Sequence, residues 1–109
     1  MQAIFVYVTC KDREEATTIG KAVVEDRLAA CANILDGMAS IYWWEGRLET
    51  SNEAVLIFKT SANLLDALTS KVKSLHGYSV PCVVGLPIMG GNPDYLAWIA
   101  KETGGAMDS

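Results

Sequence analysis

The pattern of apolar and polar positions indicates one dominant element, a long β-hairpin within residues 30–60. Two apolar stretches lie on either side of Glu45-Gly46, and a glycine in a two-residue loop supplies the positive φ that a tight hairpin turn requires. Each arm has about 15 residues and would reach roughly 50 Å, whereas a compact chain of this length has a radius of gyration of about 13 Å. We therefore expect the ribbon either to bend at Asp36-Gly37, where glycine favours a bulge, or to extend onto another subunit.

The elements before the hairpin follow from similar patterns. Residues 3–10 are apolar on both faces of a predicted strand, which therefore needs cover on both sides. Asp12 and Glu15 form a D-x-x-E arrangement that is typical of a helix N-terminus. Apolar positions continue at helical spacing to about Leu28, and they predict that the first helix ends there.

A second helix and a short strand follow the hairpin. Ser61 is predicted to be the N-cap of the second helix, and Gly77 is expected to stop it. Pro81 and Pro87 bracket the apolar sequence CVVGLP, which we predict to be a strand near a sheet edge, where a missing backbone donor is tolerated.

A third helix is expected near the end of the chain. Asn92-Pro93 is typical of an N-cap followed by the first helical residue, and Gly104-Gly105 is expected to end the helix. Residues 106–109 are predicted to form a loose tail.

This order, β-α-β-β-α-β plus a C-terminal helix, predicts an α+β fold with a ferredoxin-like antiparallel sheet, formed by residues 1–109 as a single domain. The two main helices of that plan cover one sheet face. Three predicted strands are apolar on both faces, so the second face also needs cover, and little of the chain is left to provide it. We therefore expect copies of the chain to cover one another in a closed homo-oligomer.

The composition excludes several classes of protein. The net charge of −4 argues against a nucleic-acid or anionic-membrane surface, because both recruit lysine and arginine. No run of about 18 apolar residues appears, and the N-terminus lacks a signal-peptide pattern, so we expect a cytoplasmic protein with no membrane span. The three cysteines, Cys10, Cys31 and Cys82, match no zinc or redox motif and are interpreted as small buried hydrophobes in a reducing compartment.

Several segments together resemble the CutA family of divalent-cation tolerance proteins. They are LAACANI (28–34), SIYWWEG (40–46), EAVLIFKT (53–60), LHGY (75–78) with Pro81 after it, and NPDYLAWI (92–99). The resemblance implies a homotrimer that shares its long hairpins between neighbours and a role in divalent-cation tolerance, with copper as the expected metal. The chain departs from the family pattern at Lys11 and Gly77, where proline is usual, and at Cys82, where glutamate is usual.

Two residues are candidates for a soft metal site. His76 is the only histidine, and its imidazole together with the thiolate of Cys82 would suit copper or zinc better than magnesium or calcium. The alternative for His76 is a structural role, as a helix cap or an interface hydrogen bond.

Other residues are candidates for a pocket or an interface between subunits. Lys59 lies near the end of an apolar strand and would either receive a small anionic ligand in a cleft or pair with Glu53, Glu45 or Asp12. The remaining candidates are aromatic and would line a pocket or pack an interface: Tyr42, Trp43, Trp44, Tyr78 and Trp98.

No arrangement typical of a conventional enzyme is found in the sequence. The single histidine has no recognisable nucleophile partner, and P-loop and dinucleotide glycine patterns are missing. Two functions remain. One is a non-catalytic trimeric protein of divalent-cation tolerance, and the other is a sensor or scaffold, similar to the PII signalling proteins, that binds a small ligand between subunits. An assembly role with a protein partner is a third and weaker hypothesis.

Overall fold

The computed structural model describes residues 1–104 and confirms the ferredoxin-like α+β fold. The strands are β1 (Ala3–Cys10), β2 (Cys31–Trp44), β3 (Arg47–Ser61) and β4 (Val83–Pro87). The helices are α1 (Arg13–Glu25), α2 (Leu65–Leu75) and α3 (Pro93–Glu102), with a short 3-10 turn, Ala62–Leu64, before α2. The strands form one antiparallel sheet in the order β2-β3-β1-β4, so the proline-bracketed strand lies at an edge, as predicted. The predicted tail, residues 106–109, lies outside the described residues.

The long hairpin has the predicted tip and the predicted bend. Glu45 and Gly46 have φ values of 50° and 77°, and positive φ at both central residues is the requirement of a type I′ turn. The register shifts between Leu35 and Met38, where Asp36 and Gly37 together oppose Ala54 on β3. This two-against-one pairing is a β-bulge, and Gly37 carries its positive φ of 77°.

Local signals explain where two of the helices begin. The Asp12 carboxylate accepts a hydrogen bond of 2.8 Å from the backbone of Glu15, and the Glu15 side chain accepts one from the backbone of Lys11. The Asn92 side chain likewise caps α3, with Pro93 as its first residue.

Two predicted helix boundaries were wrong. The first helix ends at Glu25 rather than Leu28, because Arg27 adopts a left-handed conformation with φ 61° and the backbone of Leu28 bonds back to Val23 in a Schellman motif. Ser61 does not cap α2: it is the last residue of β3, and its hydroxyl lies 2.8 Å from that of Thr103.

The core lies between the sheet and the helices α1 and α2. Its largest members have almost no exposed surface and come from β1, β3 and both helices: Val6, Val8, Ile19, Val23, Leu56, Phe58, Leu68 and Val72. Helix α3 contacts β1 and β3 and buries Ile99. None of the helices described between residues 1 and 104 combines the length and the apolar character needed to cross a membrane.

The opposite side of the sheet, which we call the open face, lacks such cover. Leu35, Val84 and Leu86 point to this side and are 60%, 48% and 47% exposed. Helix α3 reaches only one corner of it, where the Tyr95 hydroxyl lies 3.7 Å from Cys31 Sγ. The expectation that α1 and α2 leave one apolar sheet face uncovered is therefore confirmed.

Candidate functional site

A cavity of about 440 Å³ lies on the open face where the hairpin bends. We call it the hairpin cavity, and it is lined by Thr9, Tyr42, Trp44, Glu53, Tyr78, Ser79, Val80 and Cys82. Antiparallel pairing positions the strand residues: Met38 pairs with Glu53 and Tyr42 with Glu49, so Tyr42, Trp44 and Glu53 share a side of the ribbon. The connection between α2 and β4 supplies the other wall.

Glu53 is the charged residue of the hairpin cavity. Its exposed fraction is only 7%, and the Tyr78 hydroxyl donates a 2.8 Å hydrogen bond to its Oε2. Burial and this hydrogen bond to the carboxylate raise the pKa of Tyr78 well above its usual value of 10.0. Tyr78 therefore stays neutral and acts as a hydrogen-bond donor to Glu53.

Cys82 lies in the same cavity as a protonated thiol. Burial and, secondly, the negative charge of Glu53 raise its pKa above the ordinary value of 9.0. The thiolate that coordinates soft metals forms here only when a cation displaces the proton.

His76 contacts Tyr78 in the wall of the hairpin cavity but is not itself a lining residue. Its side chain has no exposed surface. Nδ1 accepts a 3.0 Å hydrogen bond from the backbone N–H of Tyr78, which leaves Nε2 to donate the 2.8 Å bond to the carbonyl oxygen of Thr9. The imidazole ring also packs on the Tyr78 ring, with centroids 4.7 Å apart. His76 thereby fixes the position of Tyr78, through bonds that differ from the helix cap and the interface hydrogen bond considered for it.

His76 has a different set of neighbours from the one predicted for a metal site. Possible ligand atoms of Cys10, Glu15 and His76 lie within 4.8 Å of one another. The Glu15 carboxylate already accepts hydrogen bonds from the backbone N–H groups of Lys11 and Gly77, each 3.0 Å long. Burial, with added repulsion from nearby carboxylates, raises the pKa of Cys10 to about 12.

These three residues do not fit an exchangeable cation. Both nitrogens of His76 and both oxygens of Glu15 already have protein partners, and Cys10 is a buried thiol. The group instead ties the start of α1 to the end of α2. Gly77 donates its backbone N–H to Glu15, and a proline at this position would lack that donor. The departure from the family pattern at Gly77 therefore adds a hydrogen bond to this group.

The remaining predicted residues lie apart from the hairpin cavity. Trp43 lies on the other side of the ribbon, opposite Leu48, and is 73% exposed. Lys59 donates a hydrogen bond to Asn33 Oδ1, not to any of the carboxylates considered for it. Trp98 lines a second cleft of about 280 Å³ between the end of α1 and α3, beside the Arg27–Glu102 ion pair.

The structure thus brings together four of the predicted residues, Tyr42, Trp44, Tyr78 and Cys82. Sequence reasoning missed Glu53 as a cavity residue and considered it only as a partner of Lys59. The available signal was its place at the start of the apolar run EAVLIFKT, where a charged side chain needs compensation once it is buried.

Comparisons with known proteins agree with this architecture. Residues 4–102 match the family model described as "CutA1 divalent ion tolerance protein". A chloroplastic CutA 1 protein of rice is 48% identical over 101 residues, which are 93% of this chain and 57% of that protein. The divalent-cation tolerance protein CutA of Thermus thermophilus is 46% identical over 99 residues, 91% of this chain and 96% of that one. The chain thus spans little more than half of the rice relative and nearly all of the bacterial one.

Solved structures show the same backbone. The crystal structure of CutA1 from rice superposes with a TM-score of 0.91 at 46% identity and covers 94% of each chain. The Thermus thermophilus CutA1 structure gives a TM-score of 0.89 at 44% identity and covers 92% of this chain and 97% of that one. From the match over residues 4–102 and these close relatives, we conclude that the chain belongs to the CutA1 family of divalent ion tolerance proteins.

Proposed function

We propose that this protein is a non-catalytic homotrimer that acts in divalent-cation tolerance, with copper among the cations concerned. The main support for an assembly is the apolar surface that the chain itself leaves uncovered. Leu35, Val84 and Leu86 are exposed on the open face. Between the bulge and the tip of the hairpin, the opposite side of the ribbon exposes Ile41, Trp43 and Leu48 by 71%, 73% and 60%. Groups of exposed apolar side chains often mark an interface, and three copies are what the family resemblance implies.

The site chemistry supports a role without catalysis. A general base must be free to take a proton, but both ring nitrogens of His76 are engaged with the backbone. Cys10 and Cys82 are protonated thiols, because burial raises the pKa of each. His76, Cys10 and Cys82 therefore do not supply a nucleophile and base pair.

For copper, we propose Cys82 as the ligand that faces the hairpin cavity. His76, the other ligand expected from the sequence, would first have to give up its bond to the carbonyl oxygen of Thr9. We therefore expect His76 to affect copper binding through the position of Tyr78.

Native mass spectrometry with and without copper tests both parts of this proposal. The expected mass is three times the 11.8 kDa chain mass. The variant Cys82→Ser should lose most of its copper affinity, whereas Cys31→Ser should retain it. A particle of one chain mass at micromolar concentration contradicts the assembly, and equal copper binding by the two serine variants contradicts the ligand.

The hairpin cavity favours a second candidate function, that of a sensor or scaffold similar to the PII proteins. Such a protein binds a small ligand beside the surface that contacts its neighbours or a protein partner. A thermal-shift screen separates the two candidates, because a ligand that binds the folded state raises the melting temperature with its concentration. Stabilisation by metals alone supports the first candidate, and stabilisation by an organic ligand supports the second.

We further propose that the protein works in the cytoplasm. Its three cysteines are unpaired, as expected in a reducing compartment. Mass measurement of the protein extracted from its native cells under thiol-blocking conditions tests this: three blocked thiols are expected, and a disulfide would contradict the proposal.

A further inference from the structure

We propose that the hairpin cavity binds a small organic ammonium ion, with Glu53 as its counter-charge and the aromatic rings of Tyr42 and Trp44 as its walls. This inference deepens the second candidate function, the ligand sensor, and rests on it. It names the class of ligand. The proposed ligand carries a positive charge, whereas the ligand considered from the sequence is a small anion.

The first step is the charge of the cavity. Glu53 is more than nine-tenths buried, and no lysine, arginine or histidine is among the residues that line the cavity with it. Tyr78 offers a neutral hydroxyl that donates to Glu53, so it supplies no positive charge to the cavity. A buried carboxylate without a counter-charge is costly, and a bound cation would relieve that cost.

The second step is the hydrogen bonding of Glu53. Oε2 accepts the bond from Tyr78, while Oε1 receives no hydrogen bond from the described residues. A protonated amine can donate an N–H to Oε1 and form a charge-assisted hydrogen bond. A quaternary ammonium ion lacks this donor, so the geometry favours a primary or secondary amine.

The third step is the shape and lining of the cavity. A volume of about 440 Å³ suits an organic molecule far better than a bare metal ion. Tyr42 and Trp44 supply ring faces, which attract cations through their quadrupoles. Hard divalent cations prefer several oxygen ligands, whereas this cavity offers a single carboxylate. The combination of one carboxylate with aromatic walls therefore fits an ammonium group that carries an apolar substituent.

The site is preorganised by contacts within one chain. The bonds of His76 to the backbone of Thr9 and of Tyr78 hold the Tyr78 ring where its hydroxyl meets Glu53. Little reorganisation is then required when the ligand enters, which lowers the cost of binding.

Titration of the intact protein with benzylammonium chloride, followed by calorimetry and tryptophan fluorescence, tests the inference. We expect saturable binding of about one amine per chain, and benzyl alcohol, which has the same ring but no charge, should bind at least about tenfold more weakly. Glu53→Gln should weaken amine binding by a similar factor. Trp44→Leu should weaken it about three- to tenfold, whereas the matched control Trp43→Leu, on the other side of the ribbon, should not.

Several outcomes would overturn the inference. They are equal binding of benzyl alcohol, unchanged binding by a folded Glu53→Gln or Trp44→Leu variant, and no binding by the wild type because a neighbouring copy fills the cavity. A copper titration of the same wild-type protein keeps this test separate from the copper proposal, because copper binding without amine binding overturns this inference alone. Mass measurement on the same samples reports the assembly independently, so a failed trimer and a failed ligand site give different results.

Discussion

The two halves of the long hairpin show how one ribbon can serve two different environments. Near the helices, β3 contributes Leu56 and Phe58, which have no exposed surface. Beyond the bulge, the same pair of strands carries Ile41 and Trp43, which are more than 70% exposed. The first arm, β2, carries apolar residues in both halves, whereas residues 47–53 of the second arm are mostly polar. The exposure of Ile41 and Trp43 therefore reflects what the helices can reach. The inner half buries its apolar residues on the helix side within the chain, and the outer half keeps apolar side chains such as Ile41 and Trp43 exposed.

The largest expected effect comes from placing the same charge on each face of the sheet. Val6→Asp puts a carboxylate at a position with 0% exposure, and we expect a loss of more than about 4 kcal/mol and no soluble assembly. Leu35→Asp, on the open face, should leave the chain folded but prevent its association. Circular dichroism and light scattering distinguish the two, and a normal trimer from Val6→Asp would refute the burial assignment.

Removing an aromatic ring from each half gives the next largest contrast. Phe58→Ala leaves a cavity in a fully buried site and should lower the free energy of unfolding by about 3–5 kcal/mol. Trp43→Ala should cost less than about 1 kcal/mol within the chain and act mainly by weakening assembly. Denaturant unfolding at several protein concentrations separates these effects, because only the assembly term depends on concentration. Equal, concentration-independent losses would remove the distinction between the halves.

A dependence of stability on pH is expected from the buried thiol of Cys10 at the end of β1. Burial raises the pKa of Cys10 from 9.0 to about 12. Between these values the folded state keeps a proton that the unfolded state releases. The contribution of Cys10 to the unfolding free energy is therefore constant below about pH 9 and falls as the pH rises towards 12.

Cys10→Ala should reduce that slope, and Val8→Ala provides the control, since Val8 is equally buried but does not titrate. Chemical unfolding measured from pH 8 to pH 11 checks the prediction. An unchanged slope in Cys10→Ala would show that the thiol does not contribute.

The smallest expected effect concerns the turn at the tip of the outer half. Gly46 has φ 77° and open space around it, so Gly46→Ala should cost about 1 kcal/mol through backbone strain alone. Gly91→Ala, also in open space but without positive φ, should change stability by less than about 0.5 kcal/mol. Thermal unfolding of both variants makes the comparison, and similar losses at the two glycines would argue against strain as the cause.

Much of the fold could be predicted because its signals are local. Glu45-Gly46 at the hairpin tip, Asp12 with Glu15 at the start of α1, and Asn92-Pro93 at the start of α3 each involve residues a few positions apart. The end of α1 could not be predicted in the same way. Its left-handed residue is Arg27, and a glycine, the usual marker of that conformation, is not present there.

The candidate site was harder to predict because it depends on distant contacts. Glu53 becomes a cavity residue only when β3 pairs with β2 and the segment after α2 folds over it, which brings Tyr78 from 25 positions away. His76 was considered as a metal ligand because it is the sole histidine, but its role is set by Thr9, 67 positions away in the sequence. Residue type alone did not reveal either relationship.

The bulge at Asp36-Gly37 also changes which residues of β2, even-numbered or odd-numbered, face each side of the sheet. Before it, even-numbered residues of β2 such as Ala32 and Ile34 face the helices, and after it the even-numbered Tyr42 and Trp44 face the opposite way. Deleting one residue there would remove the bulge and leave the pairing on either side of it in phase, so Tyr42 and Trp44 would still face the cavity. A three-nucleotide deletion at this point would therefore straighten the ribbon in one step, without exchanging the side chains on its two faces.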